Sequence, residues 1–183
     1  MQKNYNMADF NKFLKKYQNF TDTFKFTSFD DENNEYLCND TTVKVINFDK
    51  IIEDIYPNPM NFRPKSFDTL YVNQNNIYLI EFKNQKPGTI DPTNIQEKLI
   101  QGKKELDKLL SNLNIQKQNY IFKYCVVYKN CQQPKDRYKC RISKNIPQFG
   151  LSSCKTIVDE IYTNNVNFFT KTLNAKLSNK LAC

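Results

Sequence analysis

Histidine is absent from the 183 residues of this chain. Its absence excludes Ser-His-Asp and Cys-His catalysis, imidazole acid–base chemistry and histidine ligation of a metal. Glycine is nearly as scarce. Gly88, Gly102 and Gly150 are the whole complement, so neither a Walker-type phosphate loop nor a dinucleotide-binding fingerprint can be written anywhere in the chain. Tryptophan is missing, and Arg63, Arg137 and Arg141 are the only arginines. No stretch approaches the roughly 20 apolar residues of a membrane helix, so no membrane association is expected. The opening MQKNYNMADF lacks the apolar run of a signal peptide, and the mature chain is expected to begin there. The six cysteines form no Cys-x-x-Cys pair and match no zinc spacing. Without a secretory signal they are expected as reduced, mostly buried thiols of an intracellular protein, in the cytoplasm or nucleus. What chemistry remains must run on carboxylates, lysine, tyrosine or cysteine.

Against these absences stand 39% hydrophobic and 25% charged residues, with 14 Phe and 11 Tyr to fill a core. That length and composition suit one globular domain over 1–183, ending in a short basic tail at about 171–183. The net charge of +8 says little, because 24 Lys beside 25 Asn is the bias an AT-rich coding sequence imposes by itself. Segregation of charge is more telling. Residues 120–144 carry a net +6, whereas residues 30–56 carry the opposite bias. Within the basic stretch Lys135, Arg137, Lys139 and Arg141 are candidate phosphate contacts for a nucleic acid.

Hydrophobic periodicity predicts the elements. Phe10, Phe13, Leu14 and Tyr17 at helical spacing predict an amphipathic helix over 9–20. A strand is expected at 42–46. Asn47 can then cap a short helix whose apolar face is Phe48, Ile51, Ile52 and Ile55, ended by Pro57-Asn58-Pro59. Two strands at 66–72 and 77–83 flank the turn-forming residues 73–76. The segment IYLIEF is almost continuously apolar, as in a strand covered on both faces. The longest helix is expected at 93–113, with Gly102 standing inside its stripe of Ile95, Leu99, Leu106, Leu110 and Leu113. A third strong strand at 120–128 follows, then helices at 153–160 and 166–177. Strands interleaved with helices predict an α/β or α+β domain with a mixed central sheet.

One group within this layout suits phosphodiester chemistry. Asp68 lies on the first of the paired strands, and Glu81 and Lys83 lie on the second, two residues apart and therefore on one face. Carboxylates on adjacent strands form the oxygen-rich, incomplete site that Mg²⁺ prefers. A neighbouring ammonium can orient the attacking water and offset charge growing on phosphorus. Such acids are expected to repel one another without a metal, so that removing either should leave the fold intact.

The residues PKSFDTLYV and IYLIEFKN resemble the PD-(D/E)XK, or restriction-endonuclease-like, superfamily of nucleases. The resemblance spans roughly 47–128. It implies a restriction-endonuclease-like mixed sheet flanked by helices, with Asp68 and Glu81 as ligands of Mg²⁺ or Mn²⁺ and Lys83 as the catalytic lysine. It also implies the Phe82 carbonyl as a ligand, Glu53 as an acid completing the site from the preceding helix, and Lys98 and Gln101 as polar residues of the following one. The pattern is short, but EFK is the single acid-x-Lys triplet in the chain and ends its most convincing strand. The implied activity is a metal-dependent endonuclease, with DNA favoured over RNA and a homodimer as the means of cutting both strands. The alternative is a catalytically silent module of the same fold that binds nucleic acid or a protein partner.

Overall fold

A computed structural model describes residues 7–31, 33–58, 62–130, 147–174 and 183. Helix α1 (Met7–Lys16) buries Phe10 and Phe13, and a short 3-10 turn (Gln18–Phe20) leads from it into strand β1 (Thr21–Thr23). Helix α2 (Phe24–Thr27) and a small hairpin of β2 (Phe29–Asp30) and β3 (Glu35–Tyr36) precede β4 (Lys44–Asn47). The Asn47 side chain accepts from Lys50 N at 3.1 Å and so caps α3 (Phe48–Ile55), as its position predicts. Strands β5 (Thr69–Asn73) and β6 (Asn76–Lys83) form the expected hairpin. Asp91 caps α4 (Pro92–Asn112) by accepting from Thr93 N at 2.9 Å, with Pro92 in the first turn, where no intrahelical N–H is needed. Strands β7 (Ile121–Tyr128) and β8 (Glu160–Asn165) and helix α5 (Val166–Asn174) complete the order.

Six of these strands make one mixed sheet in the order β1-β4-β5-β6-β7-β8. From β1 to β6 the neighbours are antiparallel, and β6, β7 and β8 run parallel. Alternation along β6 sorts its side chains between two layers. Ile77 and Leu79 join Phe13, Ile51, Leu99 and Leu106 beneath α1, α3 and α4. Tyr78, Ile80 and Phe82 pack on the other side with Phe24, Val166 and Phe169. The protein is therefore an α+β domain whose central strand is covered on both faces, as its apolar run predicts. The same alternation puts Glu81 in step with Ile77 and Leu79, on the face beneath α4.

The helix expected at 153–160 is replaced by a 3-10 turn (Leu151–Cys154) and then the edge strand β8. Only Thr163 of that strand is buried, so it carries no apolar alternation to read. Its register is set instead by main-chain pairing with β7 and by Asp159, which accepts from Phe122 N at 2.7 Å and donates its own N–H to Phe122 O at 3.0 Å. The cysteines also depart from expectation. Cys38 and Cys183 are joined in a disulfide across 145 residues of sequence, whereas Cys125 and Cys154 are buried thiols. Among the described residues no helix is long and apolar enough to cross a membrane. Lys135, Arg137, Lys139 and Arg141 lie outside the described residues, as does most of the 171–183 tail.

Candidate active site

Asp68 stands immediately before β5, held there by its carbonyl, which accepts from Phe48 N at 3.0 Å. Its carboxylate crosses to the neighbouring strand, where Oδ2 accepts from Phe82 N at 2.6 Å. Asp68 is thereby fixed beside Glu81, whose side chain is fully buried at 0% exposure. Lys83 leaves the same face of β6, and its Nζ lies 2.8 Å from Glu81 Oε1. The sequence-predicted trio thus meets at one end of the β5–β6 hairpin.

A second ammonium enters from above. On α4, Lys98 sits between the buried Ile95 and Leu99, at the margin of the helix's apolar stripe. Its Nζ lies 2.8 and 3.0 Å from the two oxygens of Glu81 and 3.3 Å from Asp68 Oδ1. Burial works against the charge of Lys98. Asp68, Glu81 and Asp49 outweigh it and hold the ammonium above its ordinary pKa. The repulsion expected between Asp68 and Glu81 is therefore offset by a resident cation. Even so, burial and then the charge of Glu81 push the Asp68 carboxyl well above the usual carboxylate range.

Two acids of α3 lie near the site: Glu53, the residue expected from sequence, and Asp49, and both line a cleft together with Lys98. Glu53 is 54% exposed and pairs with Arg63 at 3.0 Å. Asp49 accepts from Ser66 Oγ and is driven upward in pKa, chiefly by burial. A helical wheel at about 100° per residue sets Asp49 closer than Glu53 to the apolar face. The Oε1 of Gln101 accepts from Lys65 N at 2.8 Å, bracing the segment that leads to Asp68.

Asp68, Glu81, Lys83 and Lys98 open onto a polar cleft of about 420 Å³, lined also by Phe29, Asp30 and Asn94. Asn94, one turn before Lys98 on α4, has a buried Oδ1 with no hydrogen-bond partner. Nothing in the sequence singles it out. Behind Lys98 lies a second cleft of about 280 Å³, walled by Asp49, Glu53, Arg63 and Ser66. Among the described residues no group of three or more His, Cys, Asp and Glu side chains is arranged as a metal cage.

The chain matches no protein-family model, no curated protein and no solved structure.

Proposed function

We propose that the protein is a metal-dependent nuclease of the restriction-endonuclease-like kind, hydrolysing phosphodiester bonds with DNA as the favoured substrate. The observation that carries this reading is a fully buried Glu81 that holds two ammonium groups beside Asp68 on the wall of a polar cleft. Well-packed apolar residues of similar volume are often as stabilising as buried ions, or more so, and an ionic cluster with shifted pKa values that also lines a cleft is a candidate functional site. The order of helix, hairpin, helix and parallel strand from α3 to β7 also agrees with the resemblance of PKSFDTLYV and IYLIEFKN to that superfamily.

The residues fit a divalent cation on two counts. Lys98 Nζ already contacts oxygens of both Asp68 and Glu81, so the pair accepts positive charge between them. Asn94 Oδ1, on the same cleft, is an acceptor still lacking a donor. Asp68, Glu81 and the Phe82 carbonyl would hold the ion. Bound Mg²⁺ or Mn²⁺ would supply Lewis-acid polarisation of a phosphoryl oxygen and a more acidic water. Lys83 would orient an attacking water and offset charge growing on phosphorus. Glu81 keeps Lys83 aimed, and the Phe82 N–H keeps Asp68 turned toward the cleft.

The direct test incubates the purified chain with supercoiled plasmid, linear duplex and single strands in Mg²⁺, Mn²⁺ or EDTA. Metal-dependent cutting, lost in Asp68→Ala, is the expected result. A second reading, a silent module that binds nucleic acid or a protein partner, draws on the ammonium of Lys98 standing between the carboxylates. It takes over if the parent binds no metal and cuts nothing.

A further inference from the structure

We infer that Lys98 is the resident cation of the metal site: its ammonium occupies the place between Asp68 and Glu81, and a divalent ion binds only when that ammonium is displaced toward Asp49. The inference rests on the metal-centred reading above. Three contacts carry it. Lys98 Nζ bridges both Glu81 oxygens and Asp68 Oδ1, so the side chains best suited to hold a metal are already occupied by this amine. Two cations cannot share those oxygens at such distances, because their mutual repulsion in a desolvated site is large.

The structure also provides somewhere for the amine to go. Lys98 lines both clefts, the one with Asp68 and Glu81 and the one behind it with Asp49. Asp49 has Ser66 as its hydrogen-bond donor, and its charge already acts on Lys98. A lysine stem is long and flexible, so its head can move between neighbouring acceptors while the stem stays packed. With 18% of its side chain exposed, Lys98 is not locked in the core. In this arrangement Lys98 neutralises the buried acids, and metal entry is coupled to movement of a positive charge to the back of the site.

The test titrates Mn²⁺ calorimetrically into the full chain and into Lys98→Met, which keeps the stem and removes the charge. Lys104→Met, an exposed position on the same helix, controls for a general change in charge. Lys98→Met is expected to bind Mn²⁺ at least roughly tenfold more tightly than the parent, the scale of a charge-assisted contact that no longer has to be broken. Lys104→Met should match the parent. If Lys98→Met does not fold, Lys98→Gln takes its place, with the same direction of change expected. A second measurement follows displacement in the unaltered protein: labelling of Lys98 by an amine-reactive reagent, read by mass spectrometry, should rise on Mn²⁺ loading. Equal or weaker binding by the Lys98 variants, or labelling that fails to rise, overturns the inference while leaving a metal-binding parent intact. Absence of Mn²⁺ binding in every variant overturns both this inference and the metal-centred reading.

Discussion

Lys83 Nζ rests 2.8 Å from Glu81 Oε1, two side chains from one strand clasped on one face. Lys83 is 22% exposed where Glu81 is fully buried, so the carboxylate aims the amine outward into the cleft. In the proposed nuclease, an ammonium held this way would serve the transition state more than the binding of the metal. Lys83→Ala is therefore expected to bind Mn²⁺ about as the parent does and to lose about 10²–10³ in cleavage rate, the cost of removing one electrostatic stabiliser. Calorimetry paired with single-turnover cleavage checks both halves.

Glu81 has a different part in stability. Strand-end acids repelling one another would make its removal neutral or favourable, but two ammonium groups converge on it. Deleting it strands Lys83 without its partner and leaves Lys98 with Asp68 alone. Glu81→Ala is expected to cost about 3–5 kcal/mol, the range for breaking a buried ion pair. Urea denaturation in EDTA measures it, and an unchanged or raised midpoint would restore the repulsive picture.

The fold was legible where burial imposes a period. The run IYLIEF, the cap at Asn47 and the stripe of α4 each predict an element that the structure contains. Legibility failed where pairing alone makes the element, as in β8 and the two-residue strands β2 and β3. The expected strand at 66–72 begins only at Thr69, because the side chains of Ser66 and Asp68 are engaged by Asp49 and Phe82. Within the site, Asp68, Glu81 and Lys83 could be read because strand spacing fixes which side chains share a face. Asn94 lies on a helix whose rotation about the sheet depends on packing, and Asp49 and Glu53, four residues apart on α3, both line the cleft behind Lys98. The Cys38–Cys183 bond escaped notice because no local spacing records a contact across 145 residues.

Gly102 illustrates how that helix packing reaches the site. A Cβ there would fall 2.9 Å from Phe67 Cδ1 and 3.2 Å from the Ser66 Cα. Phe67 is stacked on Phe48 with ring centroids 4.4 Å apart, and the Ser66 contact is backbone, so neither neighbour can give freely. Despite the better helix propensity of alanine, Gly102→Ala is expected to destabilise by about 1–3 kcal/mol, the usual cost of overpacking. Because Phe67 precedes Asp68, cleavage should fall as well. A thermal melt and a cleavage assay on the same preparation test the pairing of effects.

Asp49 predicts a pH dependence. Burial raises its pKa in the folded protein, so the native state retains a proton that the unfolded chain has lost. Stability then falls as pH rises from about 4, the unfolded carboxylate value, through the folded pKa. Asp49→Asn removes that titration while keeping an acceptor for Ser66 Oγ. The metal-free variant should lose less stability than the parent between mildly acidic and neutral pH. Denaturant midpoints across that range provide the check, and parallel curves for the two proteins would contradict the assignment.

Asn94 gives the sharpest separation of function from stability. Its buried Oδ1 has no donor, and an unsatisfied acceptor of this kind costs about 1–3 kcal/mol in the folded protein. Replacing it by alanine removes that penalty along with a small amount of packing, so Asn94→Ala should be as stable as the parent in EDTA. If the oxygen exists to receive a metal-bound water or the ion itself, the same change weakens Mn²⁺ binding. Loss of one such contact, about 1.4 kcal/mol, corresponds to roughly tenfold in Kd. Asn94→Asp should move the other way, since it adds a formal charge where the cation would bind. Three titrations and three melts decide the matter. Unchanged affinity in both variants would mean that the orphaned oxygen serves no cation, and Asp68 and Glu81 would then have to hold it without help from α4.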